Sequence, residues 1–423
     1  MKVRAIVIGY GSRGAAYSAY SAKHPEELEI VAVADPIENR RAYAKKLHGI
    51  AEDRLYTDWR ELEKEPKMAD FAIIATQDSQ HLEPALAMIE KGYHLLLEKP
   101  MATTPAQCKR ITEAAEKKGV KVIVCHVLRF TSFWTTLKNI IDSGQIGKVM
   151  SIIHMENVGN VHQSHSYVRG NWRRADESTP MILAKCCHDT DILQWLIGKP
   201  CKRVQSFGSL THFTKENKPQ GAPARCTDGC PHADACFYNA VKLYYDDKDN
   251  AWFRGVAAKT VDNPSDEAVM DALLHGPYGR CVYDCDNDVV DHQIVNMEFE
   301  DGTTASLSMN AFNQGGRFIR VFGTKGEVFM ASGEEFVVYS FADRQEKRIP
   351  VQEYGNSITD GHGGGDTGIM MDAVKYFGEG VASKSVCDVR MSYISHLIAF
   401  GAEASRLTGT VVDLDQYSQS LDN

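Results

Sequence analysis

A chain of 423 residues, 43% hydrophobic and 24% charged, has ordinary globular composition and is long enough for two domains. The net charge of −9 lacks the basic footprint of a general nucleic-acid binder, and no apolar run approaches the roughly 20 residues that span a bilayer. Eleven cysteines, with no export signal ahead of the first strand pattern, read as reduced thiols or metal ligands, so the expected location is the cytoplasm.

The first 125 residues alternate short apolar runs, at 3–8, 30–34, 71–75, 95–97 and 120–125, with helical patterns. In one of these Leu82, Ala85, Leu86 and Ile89 share a face; the next opens on the cap candidates Thr103 and Thr104, with Pro105 in its first turn. Runs apolar on both faces and separated by helices predict a doubly wound parallel sheet, an α/β arrangement. From about residue 130 the pattern changes: a helix at 133–141, a strand at 149–155, a helix at 182–196, then strands at 294–299, 303–309, 318–322, 327–330 and 336–341. Asp301-Gly302 marks a hairpin between two of them. Helices at 367–377 and 391–407 complete an α+β region with an open, mostly antiparallel sheet. An irregular insert rich in Gly, Pro, Asp and Cys interrupts it at about 211–287.

Gly9-Tyr10-Gly11-Ser12-Arg13-Gly14 matches G-x-G-x-x-G, follows the first strand and opens a helix. Its glycines permit a tight turn and close approach of backbone to a pyrophosphate. Asp35 ends the second strand where a carboxylate would accept the adenosine ribose hydroxyls and repel a 2′-phosphate, which favours NAD over NADP. Arg40 and Arg41 soften that preference, since either could reach a phosphate. Glu98-Lys99-Pro100 lies just past a predicted parallel strand, where ligands of open α/β sheets gather; Lys99 is there either a proton-exchanging group or a surface lysine.

Three further constellations carry chemistry. The stretch His165-Ser166-Tyr167-Val168-Arg169-Gly170-Asn171-Trp172-Arg173 mixes hydrogen-bonding groups with aromatic faces, as suits a sugar, or an ordinary polar loop. His362-Gly363-Gly364-Gly365-Asp366 precedes a helix, and Asp366 is placed either to cap it or to bind a hydroxyl. Cys226-x3-Cys230-x5-Cys236, with Cys281 and Cys285 later, could close a tetrahedral zinc site from Cys226, Cys230, Cys236 and Cys281. An iron–sulfur cluster also accepts four cysteines, and reduced thiols need no metal at all. Zinc here would be structural, clipping an insert that lacks a good core of its own.

The glycine motif, Asp35, the stretch ATQDSQHLEPALAMIEKGYHLLLEKP and the segment His188-Asp189-Thr190-Asp191 together resemble the Gfo/Idh/MocA family of NAD(P)-dependent oxidoreductases, over nearly the whole chain except the cysteine-rich insert. The resemblance implies a Rossmann dinucleotide-binding domain over 1–127, a substrate-binding and oligomerisation domain over 128–423, and homo-oligomers formed through the second sheet. It implies oxidation or reduction at a hydroxyl carbon of a sugar or polyol. Lys99 and His188 correspond to the family's catalytic lysine and histidine, and Pro100 to a proline after a cis peptide bond. Thr76, Gln77, Glu98 and His126 would lie by the cofactor, His81 behind that loop, and Trp172 and Arg173 along the cleft. Where the family often has an Asp four residues before the histidine, this chain has Ala184, followed by Lys185. On one helix face with His188, Lys185 could approach Lys99, each ammonium then lowering the other's pKa, or it could merely snorkel or pair with an Asp.

Three functions follow from these residues. The leading expectation is an NAD-dependent sugar or glycoside oxidoreductase that removes a substrate proton through Lys99 or His188, with His165, Tyr167, Arg169, Trp172, Lys185 and Asp366 around the substrate. The second is a glycoside hydrolase using recycled NAD, with transient oxidation at C3, elimination, hydration and re-reduction; no carboxylate pair of an ordinary glycosidase stands out. The third is a non-catalytic dinucleotide sensor. The expected partners are a small-molecule sugar or glycoside and further copies of the chain, with neither nucleic acid nor membrane.

Overall fold

The computed structural model describes residues 2–352 and 363–421. The first sheet holds β1 (Val3–Ile8), β2 (Leu28–Ala34), β3 (Leu55–Tyr56), β4 (Phe71–Ile74), β5 (His94–Leu97) and β6 (Val122–Val124) in the order β3-β2-β1-β4-β5-β6, with parallel pairings. The order reverses between β1 and β4, which opens a crevice at their carboxyl ends. The sequence signals worked where chemistry was local. Thr104 accepts the backbone N–H of Gln107 as N-cap of Pro105–Lys118, and that helix ends at Gly119 with φ of 70°.

The second sheet holds β7 (Val149–Asn157), β8 (Cys201–Ser209), β9 (His292–Phe299), β10 (Thr304–Asn310), β11 (Gly316–Gly323), β12 (Gly326–Ser332), β13 (Glu335–Ser340), β14 (Glu346–Pro350) and β15 (Val412–Asp413). The order is β14-β13-β12-β11-β7-β10-β9-β8-β15; β7 and β10 run parallel and the other neighbours antiparallel. Asp301-Gly302 forms the β9–β10 turn, with Gly302 at a φ of 82°. The helix Val389–Thr408 crosses one face so closely that a Cβ at Gly401 would meet Leu414 at 2.4 Å and Val204 at 3.2 Å. Met150, Ile153, Phe207 and Ile294 stay exposed on this sheet.

Three features depart from expectation. The helix expected at 182–196 is two pieces, Met181–Ala184 and Cys187–Ile197, broken at Lys185 and Cys186, so Lys185 and His188 do not share a continuous helix face. The insert has two small apolar clusters of its own. One gathers Tyr244, Phe253, Val269, Leu273 and Tyr278; the other gathers Phe213, Tyr238 and Val282, with Val168 added from the preceding segment. The helix Gly365–Glu379, late in the chain, packs on the first sheet: Ile369, Met370, Ala373 and Phe377 join Val3, Ala5, Val7 and Phe71, and the Phe71 and Phe377 rings lie 4.9 Å apart. Among the described residues, no helix is long and apolar enough to cross a membrane.

Candidate active site

The glycine motif forms the turn from β1 into Ser12–Ser18. Gly9 has a φ of 87°, and a Cβ there would meet the Ala75 carbonyl oxygen at 2.6 Å. A Cβ on Gly14 would strike the Gly9 carbonyl oxygen at 2.0 Å, whereas one on Gly11 would meet only the Arg40 guanidinium, at 3.5 Å. Gly9 and Gly14 thus let backbone pack on backbone, while Gly11 leaves the outer face of the loop bare, as a pyrophosphate requires. Asp35, 2% exposed, accepts the N–H of Tyr10 at 2.7 Å and of Ile37 at 2.8 Å, which aims the end of β2 toward the loop. Arg40 lies 3.5 Å from its carboxylate, and Arg41 donates to its main-chain oxygen at 2.6 Å. A cleft of about 400 Å³ lies beside them, lined by Gly9, Pro36, Trp59, Thr76 and Ser79 among others. Glycine cradle, carboxylate and cleft all fit a dinucleotide.

Across the crevice, Arg13 bonds Glu98 at 2.8 Å and Asp366 at 2.7 Å, and the Tyr17 hydroxyl donates to Glu98 at 2.7 Å. Burial alone would raise the Glu98 pKa, but the charges of Arg13 and Lys99 outweigh it and hold the carboxyl below its ordinary value. Asp366 therefore ties Gly365–Glu379 to the glycine loop through Arg13; His362 lies outside the described residues. Thr76 donates to the Gln80 carbonyl at 3.1 Å, and His81, 1% exposed, spans the carbonyls of Pro100 (2.8 Å) and Thr76 (3.2 Å) behind the loop. The Lys99-Pro100 peptide is cis.

Lys99 projects from the carboxyl end of β5, and its Nζ donates to the Ala184 carbonyl at 3.0 Å. The main chain at 184 thus takes the lysine. His188 sits in the first turn of Cys187–Ile197, 7% exposed, its ring edge-on to His126 at 5.9 Å. Beneath it, His126 pairs with the Ser392 hydroxyl at 2.9 Å and lies 3.8 Å from Asp191, which Arg129 grips with two bonds of 2.6 and 2.7 Å. Burial lowers the His126 pKa to about 4, so the ring is neutral at pH 7. His126 therefore supports His188 from below. Lys185 turns to Glu156 at 3.4 Å, and Arg317 bridges Glu156 (2.8 Å) and Asp189 (2.7 Å). Lys185 thus pairs with a glutamate of β7 rather than with an Asp.

The segment 163–173 divides. Trp172 donates to Asp78 at 2.9 Å, and Asn171 donates to Gln77 at 3.0 Å, so this end closes on the first sheet's loops. Asp78, 6% exposed, also accepts Ser178 at 3.0 Å and Thr179 at 3.3 Å. Sequence reasoning quoted Asp78 within a motif but gave it no role. Tyr167 is buried within 6.0 Å of the Trp172 ring. Arg173 pairs with Asp286 and Glu177, on the insert side. Two expected substrate residues lie elsewhere. His165 is 2% exposed, stacked on Phe253 at 4.1 Å and bonded to the Tyr244 hydroxyl at 2.9 Å, which makes it a core residue of the insert. Arg169, fully buried, donates to the carbonyls of Arg280 and Tyr238. His162 lies by the Tyr167 and Trp252 rings, at 5.9 and 5.4 Å, and burial lowers its pKa to about 3.

The family model described as "Oxidoreductase family, NAD-binding Rossmann fold" matches residues 3–126, and its partner, the "C-terminal alpha/beta domain", matches 138–377. YteT of Bacillus subtilis strain 168, an oxidoreductase by name, is 24% identical over 72% of this chain and 71% of its own length. Inositol 2-dehydrogenase of Salmonella typhimurium LT2 is 29% identical over 49% of this chain and 58% of its own. The 2,7-anhydro-N-acetylneuraminate hydratase of Escherichia coli K12 is 27% identical over 49% and 53%. The alignments to these last two therefore span about half of this chain and little more than half of each relative. An oxidoreductase from Agrobacterium radiobacter, solved with NAD+, L-tartaric acid and magnesium, shares the fold over 99% of this chain and 100% of its own, with a TM-score of 0.69 at 14% identity.

Proposed function

The chain belongs to the Gfo/Idh/MocA oxidoreductase family, with an NAD-binding Rossmann domain, and from that premise we propose that it oxidises or reduces a hydroxyl carbon of a sugar, polyol or glycoside. The observation that carries this is Lys99, held at the end of β5 by the carbonyl of Ala184 at 3.0 Å, four residues before His188. NAD, when bound, supplies the hydride acceptor and donor. Lys99 and His188 take the proton from the substrate hydroxyl in one direction and return it in the other. Asp78 and Trp172 clamp the second domain onto the loop beside the cleft, which restrains the bound substrate to a near-attack position. Asp35 favours NAD, since a 2′-phosphate would meet a buried carboxylate already engaged by backbone N–H groups.

A second reading is supported by the hydratase relative, whose name describes addition of water without net redox change. On that reading the chain uses the same proton-transfer pair for transient oxidation of a glycoside, followed by elimination, hydration and re-reduction. Incubation with free sugars and nitrophenyl glycosides separates the two. NADH accumulating with substrate loss supports net oxidation; many turnovers of nitrophenol release with catalytic NAD and no net NADH supports the redox-assisted hydrolase. Neither product from any substrate, with NAD still bound, would leave the sensor reading.

A further inference from the structure

The insert lines a half-open cavity of about 270 Å³ whose wall includes Cys226, Cys230, Cys236, Cys281, Arg169 and Tyr283. The chain brings the four cysteines there by backbone pairing. Cys226 N–H donates to Gly279 at 2.9 Å and Cys281 N–H to Ala224 at 2.8 Å, so a two-rung antiparallel bridge lays the remote cysteine beside the first of the cluster. Gly279 makes this possible, since a Cβ there would lie 1.8 Å from the Leu273 carbonyl oxygen. Gly229, at a φ of 72°, turns the chain from Cys226 to Cys230, and Cys236 N–H closes on the His232 carbonyl at 3.0 Å. Arg225 then anchors the bridge by donating to the carbonyls of Leu273 and Gly276, the last turn of Asp266–His275.

The fifth cysteine is excluded. Cys285 does not line the cavity, and its thiol is directed to the Cys281 carbonyl at 3.3 Å. Arg169 is the second, independent pointer. Its guanidinium is fully buried, its neighbours are two carbonyls, the Cys226 sulfur at 3.7 Å and the Tyr244 hydroxyl, and its Nη1 finds no acceptor in bonding geometry among the described residues. None of those partners carries a full negative charge unless the thiols are thiolates. Four metal-bound thiolates would supply that charge.

The spacing argues against zinc. Zinc with Zn–S bonds of about 2.3 Å holds its four sulfurs about 3.8 Å apart, leaving no cavity. Among the described residues, no three of these sulfurs lie within 4.8 Å of one another. Thiolates on the corners of an iron–sulfur cube stand roughly 6 Å apart around a filled core. We propose that Cys226, Cys230, Cys236 and Cys281 hold a [4Fe–4S] cluster, with Arg169 compensating its charge, and that the cluster fastens the insert to the segment carrying Trp172.

Metal and acid-labile sulfide analysis of the intact chain, purified without oxygen, tests this. About four irons and about four sulfides per chain, with broad visible absorption, are expected. One zinc per chain, two irons, or no metal would overturn the proposal. Cys230→Ser and Cys236→Ser are expected to lose the iron and the absorption, while Cys285→Ser keeps both. Loss of iron in Cys285→Ser equal to that in Cys236→Ser would refute the ligand assignment. The metal content of the unaltered chain decides the matter even if a serine variant fails to fold.

Discussion

Two glycines of one turn are expected to fail in different ways when given a methyl group. In Gly14→Ala the new Cβ would lie 2.0 Å from the Gly9 carbonyl oxygen, 3.1 Å from its carbon and 3.3 Å from Val7 Cγ1. The first two are backbone atoms, so relief requires Ser12–Ser18 to move away from β1 by about 1 Å. Such overpacking costs about 1–3 kcal/mol, which lowers the urea midpoint. In Gly11→Ala the Cβ meets only the end of the flexible Arg40 side chain at 3.5 Å, so folding stability should stay within about 0.5 kcal/mol. That methyl group stands where the pyrophosphate approaches, however, and NAD affinity should fall at least about tenfold, about 1.4 kcal/mol. Urea denaturation and calorimetric NAD titration on both variants provide the measurements. If Gly14→Ala unfolds at the parent's midpoint, or Gly11→Ala binds NAD as the parent does, the assignment of one glycine to packing and the other to cofactor approach is wrong.

Lys99→Ala and His188→Ala should each lower kcat by about 10²–10⁴-fold while NAD still binds; calorimetry alongside turnover checks both, and undiminished turnover in either variant removes that residue from the proton-transfer role. Asp78→Ala strands the donors of Trp172, Ser178 and Thr179, so the thermal midpoint should fall by the equivalent of about 1–3 kcal/mol and KM should rise more than kcat falls. Burial lowers His126 and His48 to about 4, and His165 and His396 to about 3, from 6.5. These rings resist protonation only when folded, so their contribution is complete above pH 6.5 and is lost as the pH falls toward 4, by roughly 3 kcal/mol for His126 alone. His165→Phe, which keeps the stack on Phe253, should flatten the acid limb of a melting-temperature profile, and an unchanged limb would count against the buried-neutral assignment.

What could be read from the chain was local. The run 3–8 is β1 residue for residue, and the Thr104-Pro105 cap and the Asp301-Gly302 turn form as their chemistry dictates. The exposed edge strand β14, Glu346–Pro350, gave no signal because most of its side chains meet solvent and its pairing is decided by β13. His165 was read as a sugar contact because its neighbours in sequence are polar. Its real neighbours, Tyr244, Phe253 and Tyr278, come from the insert's helices and turns. The break at Lys185 is equally tertiary: an apolar helical pattern runs through it, yet Glu156 on β7 claims the ammonium. Cysteine spacing in sequence proposes a ligand set but cannot choose between metals, since that choice depends on separations between sulfurs.

The late helix Gly365–Glu379 has a consequence for the order in which the protein can be made. All six strands of the first sheet have been synthesised by Val124, but Val3, Ala5 and Phe71 on one of its faces wait for Ile369, Ala373 and Phe377. About 250 residues separate those events, which at 5–20 residues per second is roughly 10–50 s of translation. Throughout that interval the nascent first sheet leaves open the part of that face which the late helix covers, and a chain stopped after β6 would leave it open permanently. An N-terminal fragment cut at residue 127 should therefore associate or bind chaperones, and adding a peptide spanning 363–381 should return it to solution.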